Sequence, residues 1–348
     1  AIDRLRRETA RGDKEHLAAG VSRTDQWPDF DLGGESIDDD VLRLLFTCCH
    51  PSLDETAQVA LTLRLVAGVD TTAIARAFLV SDAAMTQRIV RAKRKIRAAN
   101  IPFQMPDDED LPQRVRAVSS VLFLTYNEGY VASSGDGLDR TELCDEAIRL
   151  TRLLAQLMPS EPEVRGLLSL MLFISARRPS RIATDGSFVP LGEQDRTRWD
   201  QQLLSEAREL LRSCLLEDRP GAYQLHAAIN AVHADAPTLA ATDWRQILTI
   251  YDQLLALAPT PVIALNRAVA LAEIEGPATA LLEVERLELD DYSLWHGVRA
   301  DLLRRCGREA EAHLAFERAI ETTENPAEAH HLRRRQRELT SPSKGSER

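Results

Sequence analysis

Gly68–Arg97, GVDTTAIARAFLVSDAAMTQRIVRAKRKIR, divides into two amphipathic stretches separated by a short break. In the first, Asp70 is placed to cap a helix, and Ile74, Ala75 and Phe78 fall on one face. In the second, Ser81 or Asp82 is the cap, and Met85, Ile89, Ala92 and Ile96 recur at helical spacing and must face a core. That leaves Ala83, Ala84, Gln87, Arg88, Arg91, Arg94 and Lys95 turned wholly or partly outward. Two short helices at a fixed angle, the second basic on its open face, have the shape that fits a DNA major groove. Small residues at the helix start let a backbone approach base edges. Gln87, Arg88 and Arg91 suit base contacts, and Arg94 and Lys95 suit phosphates. A charge run is usually no more than a solvated face. Here residues 82–100 carry Arg88, Arg91, Lys93, Arg94, Lys95 and Arg97 against a lone Asp82, in a chain of 348 residues with a formal net charge of −11. A locally basic helix in an acidic protein is the more specific signal.

Working outward, Val41–Phe46, His50–Leu53 and Glu55–Val66 supply the packing partners that such a helix pair needs for a core. Cys48, Cys49 and His50 invite a zinc reading. Adjacent cysteines point about 100° apart on a helix and no second Cys/His pair lies nearby, so buried structural cysteines are expected and no metal. Cys144, Cys214 and Cys306 are isolated. Five scattered cysteines, with no signal peptide and no long apolar run, are the pattern of a reduced, soluble, cytoplasmic protein that is not embedded in a membrane.

The segment resembles region 4 of bacterial RNA polymerase sigma factors of the extracytoplasmic-function class. Gly68, Ile74, Ala75, Val80, Arg88, Arg91, Ala92 and Lys93 fall on matching positions of that family's helix-turn-helix. Asp70 stands where a capping serine is usual, and Leu79 stands where the family has the turn glycine, so the turn is expected to be strained or differently shaped. The string Leu44–Pro51 resembles the entry to region 4 in the subgroup that carries a long C-terminal extension. The opening AIDRLRRE resembles the last turns of region 2, so residues 1–10 read as the end of region 2 and 11–40 as a tether. Residues 41–100 then form the region 4 domain. With almost all of region 2 outside this chain, the resemblance implies binding to the −35 element without promoter opening, and RNA polymerase core as partner.

Ile101–Gln113 holds three prolines and the run Asp107-Asp108-Glu109-Asp110, and reads as a boundary and solvated linker spanning 101–113. Beyond it the pattern is helical. Leu111–Tyr126, Thr141–Leu157, Glu163–Ala176, Thr197–Leu216, Gly221–Ala234 and Asp243–Leu257 are each long and periodic enough to be helices. Val262–Ile274, Gly276 and Pro277–Leu287 are echoed about thirty residues later by Leu294–Cys306, Gly307 and Arg308–Ile320, the logic of tetratricopeptide-like solenoids. Residues 114–340 are therefore expected to form a TPR-like helical domain that presents a surface to a protein or peptide, and 341–348 a disordered tail. Arg333-Arg334-Arg335 reads as the polar face of a closing helix.

Three strings here, Phe123–Tyr130, Arg177–Trp199 and Gly221–Ile229, also resemble the subgroup's extension. Glu128, Asp195, Arg196, His226 and His233 are a possible acid–base set. No nucleophile elbow, phosphate loop or metal-spaced cluster accompanies them, so neither an enzyme nor a cofactor is expected. The expectation is an all-α, two-domain chain that directs polymerase to promoters. The alternatives are a polymerase-independent regulator and a helical-repeat scaffold.

Overall fold

The computed structural model describes residues 37–78, 80–132, 141–183, 188–323 and 325–340. The stretch read as the end of region 2, the tether up to residue 36, Leu79 at the turn, Asp185-Gly186 and the tail 341–348 lie outside the described residues. Among the described residues the chain is all-helical, with no strand and one isolated antiparallel bridge between Ile182 and Phe188. It divides into two compact units, Ala1–Tyr130 with Asp139–Leu157, and Val131–Leu138 with Met158–Arg348.

The first unit contains α1 (Ile37–Cys48), α2 (Glu55–Leu61), α3 (Thr71–Ala77), α4 (Asp82–Ala98), α5 (Leu111–Ala132, its last two residues grouped with the second unit) and α6 (Thr141–Leu157). The α1 helix begins at Ile37, inside the stretch read as tether. Asp54 caps α2 by accepting from the Ala57 amide at 2.9 Å. The helix then widens into a π turn, Thr62–Val66, closed by the Ala67 amide on the Thr62 carbonyl at 3.1 Å. Leu45, Phe46, Leu61, Leu63, Ile74 and Met85 are fully buried and form the centre of the unit's core.

The proline-rich stretch 101–113 is packed against this core. Ile101 is buried, the Thr47 hydroxyl donates to the Pro102 carbonyl at 3.3 Å, and the Arg114 guanidinium donates to the Phe46 carbonyl. The acidic run has a local role as well. The Asp107 carbonyl accepts from the amides of Asp110 and Leu111, both at 2.9 Å, so the exposed carboxylates gather at the positive N-terminus of α5.

The second unit contains α7 (Pro162–Ala176), α8 (Gln201–Leu215), α9 (Ala222–Asp235), α10 (Trp244–Leu257), α11 (Pro261–Ile274), α12 (Pro277–Val284), α13 (Ser293–Arg305), α14 (Glu309–Thr322) and α15 (Pro326–Thr340). Each packs on its chain neighbour, and α7 also packs on α9. Pro162, Pro261 and Pro277 occupy first-turn positions, where a missing N–H costs nothing. The helix expected from Thr197 starts only at Gln201. Trp199 is extended and buried, and the Asp200 carboxylate accepts from the Gln202 and Leu203 amides at 2.9 and 3.0 Å, which sets the start. The Glu163 carboxylate on α7 accepts from the Tyr223 amide at 2.7 Å and so caps α9 from outside; burial raises its pKa.

Helix α11 serves two cores. Ile263 and Ala270 pack with Leu225, Ile247 and Leu254, whereas Leu265, Ala268 and Ala272 pack with Leu281, Trp295, Leu303 and Phe316. Among the described residues no helix is long and apolar enough to cross a membrane.

The two glycines of the repeated pattern both lie in the left-handed region, Gly276 at φ +90° and Gly307 at φ +74°, and no atom lies within 4 Å of a Cβ built at either. Gly276→Ala and Gly307→Ala therefore meet backbone strain without steric overlap. Each should lower stability by about 1–2 kcal/mol, read as a lower urea midpoint at unchanged slope.

Candidate nucleic-acid interface

The α3–α4 pair is fixed at three points. The Ser81 hydroxyl accepts from the Ala84 amide at 3.2 Å, which makes Ser81 the cap of α4. The Thr72 hydroxyl donates to the Asp82 carboxylate at 3.4 Å, tying the start of α3 to the start of α4. On the inner side Ile74 and Ala75 are fully buried and Phe78 is half-buried, as their stripe requires. Asp70 is not the side-chain cap expected of it. Its backbone carbonyl accepts from the Ile74 amide at 3.0 Å, while its exposed carboxylate faces Arg64 at 3.8 Å.

In α4 the buried residues are Met85, Ile89, Ala92 and Ile96. With that stripe inward, Ala83, Ala84, Gln87, Arg91, Arg94 and Lys95 are exposed, and Arg88 is half-buried. The cations differ from those of the second unit in how their charge is met. There Arg267 lies 2.6 Å from Asp252 and 2.8 Å from Glu283, Arg305 lies 2.6 Å from Glu273, and Arg335 lies 2.6 Å from Asp301. Among the described residues Arg88, Arg91, Arg94 and Lys95 have no carboxylate in ion-pair range; Arg91 contacts the Gln87 side chain at 3.5 Å. Arg88, Arg91 and Lys95 also line a recess of about 220 Å³, whose other wall is Leu53, Asp54 and Ala57 at the start of α2. That wall was not foreseen. It is brought to α4 by packing across the core, and no local pattern marks it.

Cys48 and Cys49 are fully buried, and they do not converge with His50. The Cys49 sulfur lies 3.5 Å from the Thr62 hydroxyl, whereas His50 Nδ1 accepts from the Ser52 amide at 3.2 Å. Burial raises the Cys48 pKa, with Cys49 adding to it, and pushes the Cys49 thiol up to about 12.

The acid–base set is dispersed. Glu128 is exposed on α5, in the first unit; the other four belong to the second. Asp195 accepts from the Thr197 amide at 3.0 Å and its hydroxyl at 2.6 Å, and these bonds hold its pKa low. Arg196 donates to the carbonyls of His233 and Ala236 and lies 4.9 Å from the Trp199 ring centroid, so it closes the C-terminus of α9. Burial lowers the His226 pKa. His233, half-buried and beside Arg177 and Arg196, is lowered to about 4 and stays neutral at physiological pH. Among the described residues no carboxylate reaches either imidazole. Arg196 and His233 are thus brought together in a terminating cluster, without the carboxylate that acid–base work would require.

In the second unit, recesses along α8, α9 and α10 meet at Leu215. Leu215 and Leu216 follow the buried stripe Leu204, Ala207, Leu211 and Cys214 of α8 and fall off it, and Leu216 is 81% exposed. The sequence carries the signal, two consecutive leucines beyond the apolar stripe of α8.

The described residues define an all-helical chain of two compact units, with Arg88, Arg91, Arg94 and Lys95 outside ion-pair range of any described carboxylate. Residues 114–215 match a family of unknown function (DUF6596). An uncharacterized protein of Rhizobium meliloti (strain 1021) is 45% identical over 337 residues, covering 95% of this chain and 79% of that protein. The chain belongs to the same family as that protein.

The raised thiols give a direct check. Neutral in the fold, they contribute stability that is fully present below the unfolded thiol pKa of about 8.5 and is lost as pH rises toward the folded value. Iodoacetamide at about pH 8.5 should leave Cys48 and Cys49 unmodified in the native chain and label both in urea, as read by peptide mass spectrometry.

Proposed function

We propose that this chain binds promoter DNA as the −35-reading part of an RNA polymerase sigma factor of the extracytoplasmic-function class. In this reading α3 and α4 are its helix-turn-helix, and the second unit is a TPR-like domain that modulates activity. The observation that carries it is the outer face of α4. A buried stripe of four residues turns Ala83, Ala84, Gln87, Arg88, Arg91, Arg94 and Lys95 outward, and among the described residues the cations of this set have no carboxylate in ion-pair range, although the chain's formal net charge is −11. Cations left uncompensated on one helix face suit a polyanion. The match of Gly68–Lys93 to the region 4 pattern supports the polymerase as partner and the cytoplasm as location.

For the second unit, the support is the stacking of successive helices and the paired left-handed glycines at the ends of α11 and α13. Helices that each bury one face on the previous pair and one on the next are the economy of a solenoid, whose open surface takes peptides or proteins. The exposed leucines around Leu215 fit such a surface.

Selection of binding sites from a random duplex pool by the full chain tests the reading. A single enriched motif is expected, bound with a steep inverse dependence on salt. Gln87→Ala should relax the preference at one position of that motif, at a cost of about 1–3 kcal/mol against the best site. Enrichment of no motif, with no duplex retained at low salt, would overturn it.

A further inference from the structure

The outward residues of α4 do not form one uniform face. At about 3.6 residues per turn, Ala83, Gln87 and Arg94 lie opposite the buried stripe and form the crest of the helix. Ala84, Arg88, Arg91 and Lys95 form a flank, and the recess shows where that flank points: across to Leu53, Asp54 and Ala57. Three cations therefore converge on one concavity of about 220 Å³. At about 30 Å³ per water molecule, that is room for a tetrahedral oxyanion and part of its hydration shell.

The single carboxylate in the wall does not balance them. Asp54 is engaged as the cap of α2, accepting from the Ala57 amide at 2.9 Å, and has no cation in ion-pair range among the described residues. Like charges held side by side repel unless an anion sits between them. The three cations stand on one helix, and the opposing wall is the first turn of α2 with the two residues before it, held in place by the Asp54 cap.

We infer that this recess is a seat for one phosphate group, held by Arg88, Arg91 and Lys95, and that base reading belongs to the crest. This reassigns Arg88 and Arg91 from base edges to backbone. For its source of phosphate the inference rests on the DNA-binding reading above, where the group is a phosphodiester of the duplex; a free polyphosphate offers the same chemistry. In the duplex case the seat anchors the flank of α4 to the backbone of one strand and adds affinity that does not depend on sequence, while the crest carries the base contacts.

Two titrations of the full chain test it, with circular dichroism confirming that each variant is folded. In the first the probe is inorganic tripolyphosphate at constant ionic strength, followed by calorimetry. Arg91→Ala and Lys95→Ala should each weaken binding by about tenfold or more. Arg94→Ala removes the same charge from the crest and should change it less than about twofold. Equal loss in all three would mean diffuse attraction, and the seat would be overturned. In the second, the probe is the selected duplex across a salt series. Lys95→Ala should reduce the salt slope by about 1 with base preference intact, whereas Gln87→Ala should do the reverse. A change of base preference in Arg88→Ala or Lys95→Ala would also overturn the seat. Should the chain bind no duplex while the tripolyphosphate pattern holds, the seat stands as a site for free phosphates and the DNA reading falls.

Discussion

Burial of four side chains, Met85, Ile89, Ala92 and Ile96, is the constraint on which the rest of the first unit depends. Each larger apolar side chain removed from water contributes about 1.5–3 kcal/mol, and the four lie on one stripe of a 17-residue helix. No other rotation of α4 buries them together. Once that rotation is set, the direction of every cation on the helix follows, and a basic surface forms without any cation having to be placed individually. The remaining helices act as the template. Ile74 and Ala75 of α3 are fully buried, as are Leu61 and Leu63, and the Ser81 cap fixes where α4 begins.

The second unit is organised by a different economy. Its helices are short and carry small residues on their packing faces, as in Ala268, Ala272, Ala280, Ala312, Ala315 and Ala319, so neighbouring backbones approach closely. Because α11 gives one face to each of two cores, the array is continuous through it, whereas α7 is buried on all sides from Gly166 to Phe173. Polar groups at the helix ends are used up in the process. Asp200, Asp243 and Thr260 are caps, Glu163 caps a helix not its own, and Arg196 satisfies carbonyls at the end of α9. Residues that look chemically active in a one-dimensional reading are here engaged in terminating helices.

The parts of the architecture that were legible beforehand are those governed by period and cap. The expected span Thr141–Leu157 coincides with α6, and most helices of the second unit lie within a residue or two of expectation. The glycines at 276 and 307 were recognisable because only a residue without Cβ takes that backbone cheaply. Where a side chain's partner is distant in sequence, reading fails. Trp199 and Asp200 break a helix that periodicity would continue, because one is pulled into the core and the other caps the next segment. The stretch 101–113 has a linker's composition, yet Ile101, Pro102 and Arg114 hold it and the helix after it to the first unit's core. Asp70 has the composition of a cap and the geometry of a surface charge beside Arg64.

The sequence by itself determined which residues of α4 face outward, since that depends only on a local helical period and on the cost of leaving Met85, Ile89 and Ile96 in water. It also determined the all-helical character of the described chain, which needs only propensities, caps and spacing. What tertiary structure alone decided is what stands opposite those outward residues. The recess of Arg88, Arg91 and Lys95 exists because α2 packs across the core with its capped start beside them, bringing together residues more than thirty positions apart. Period is a property of one helix, but a concavity requires two, and their approach is set by the shape of the core between them.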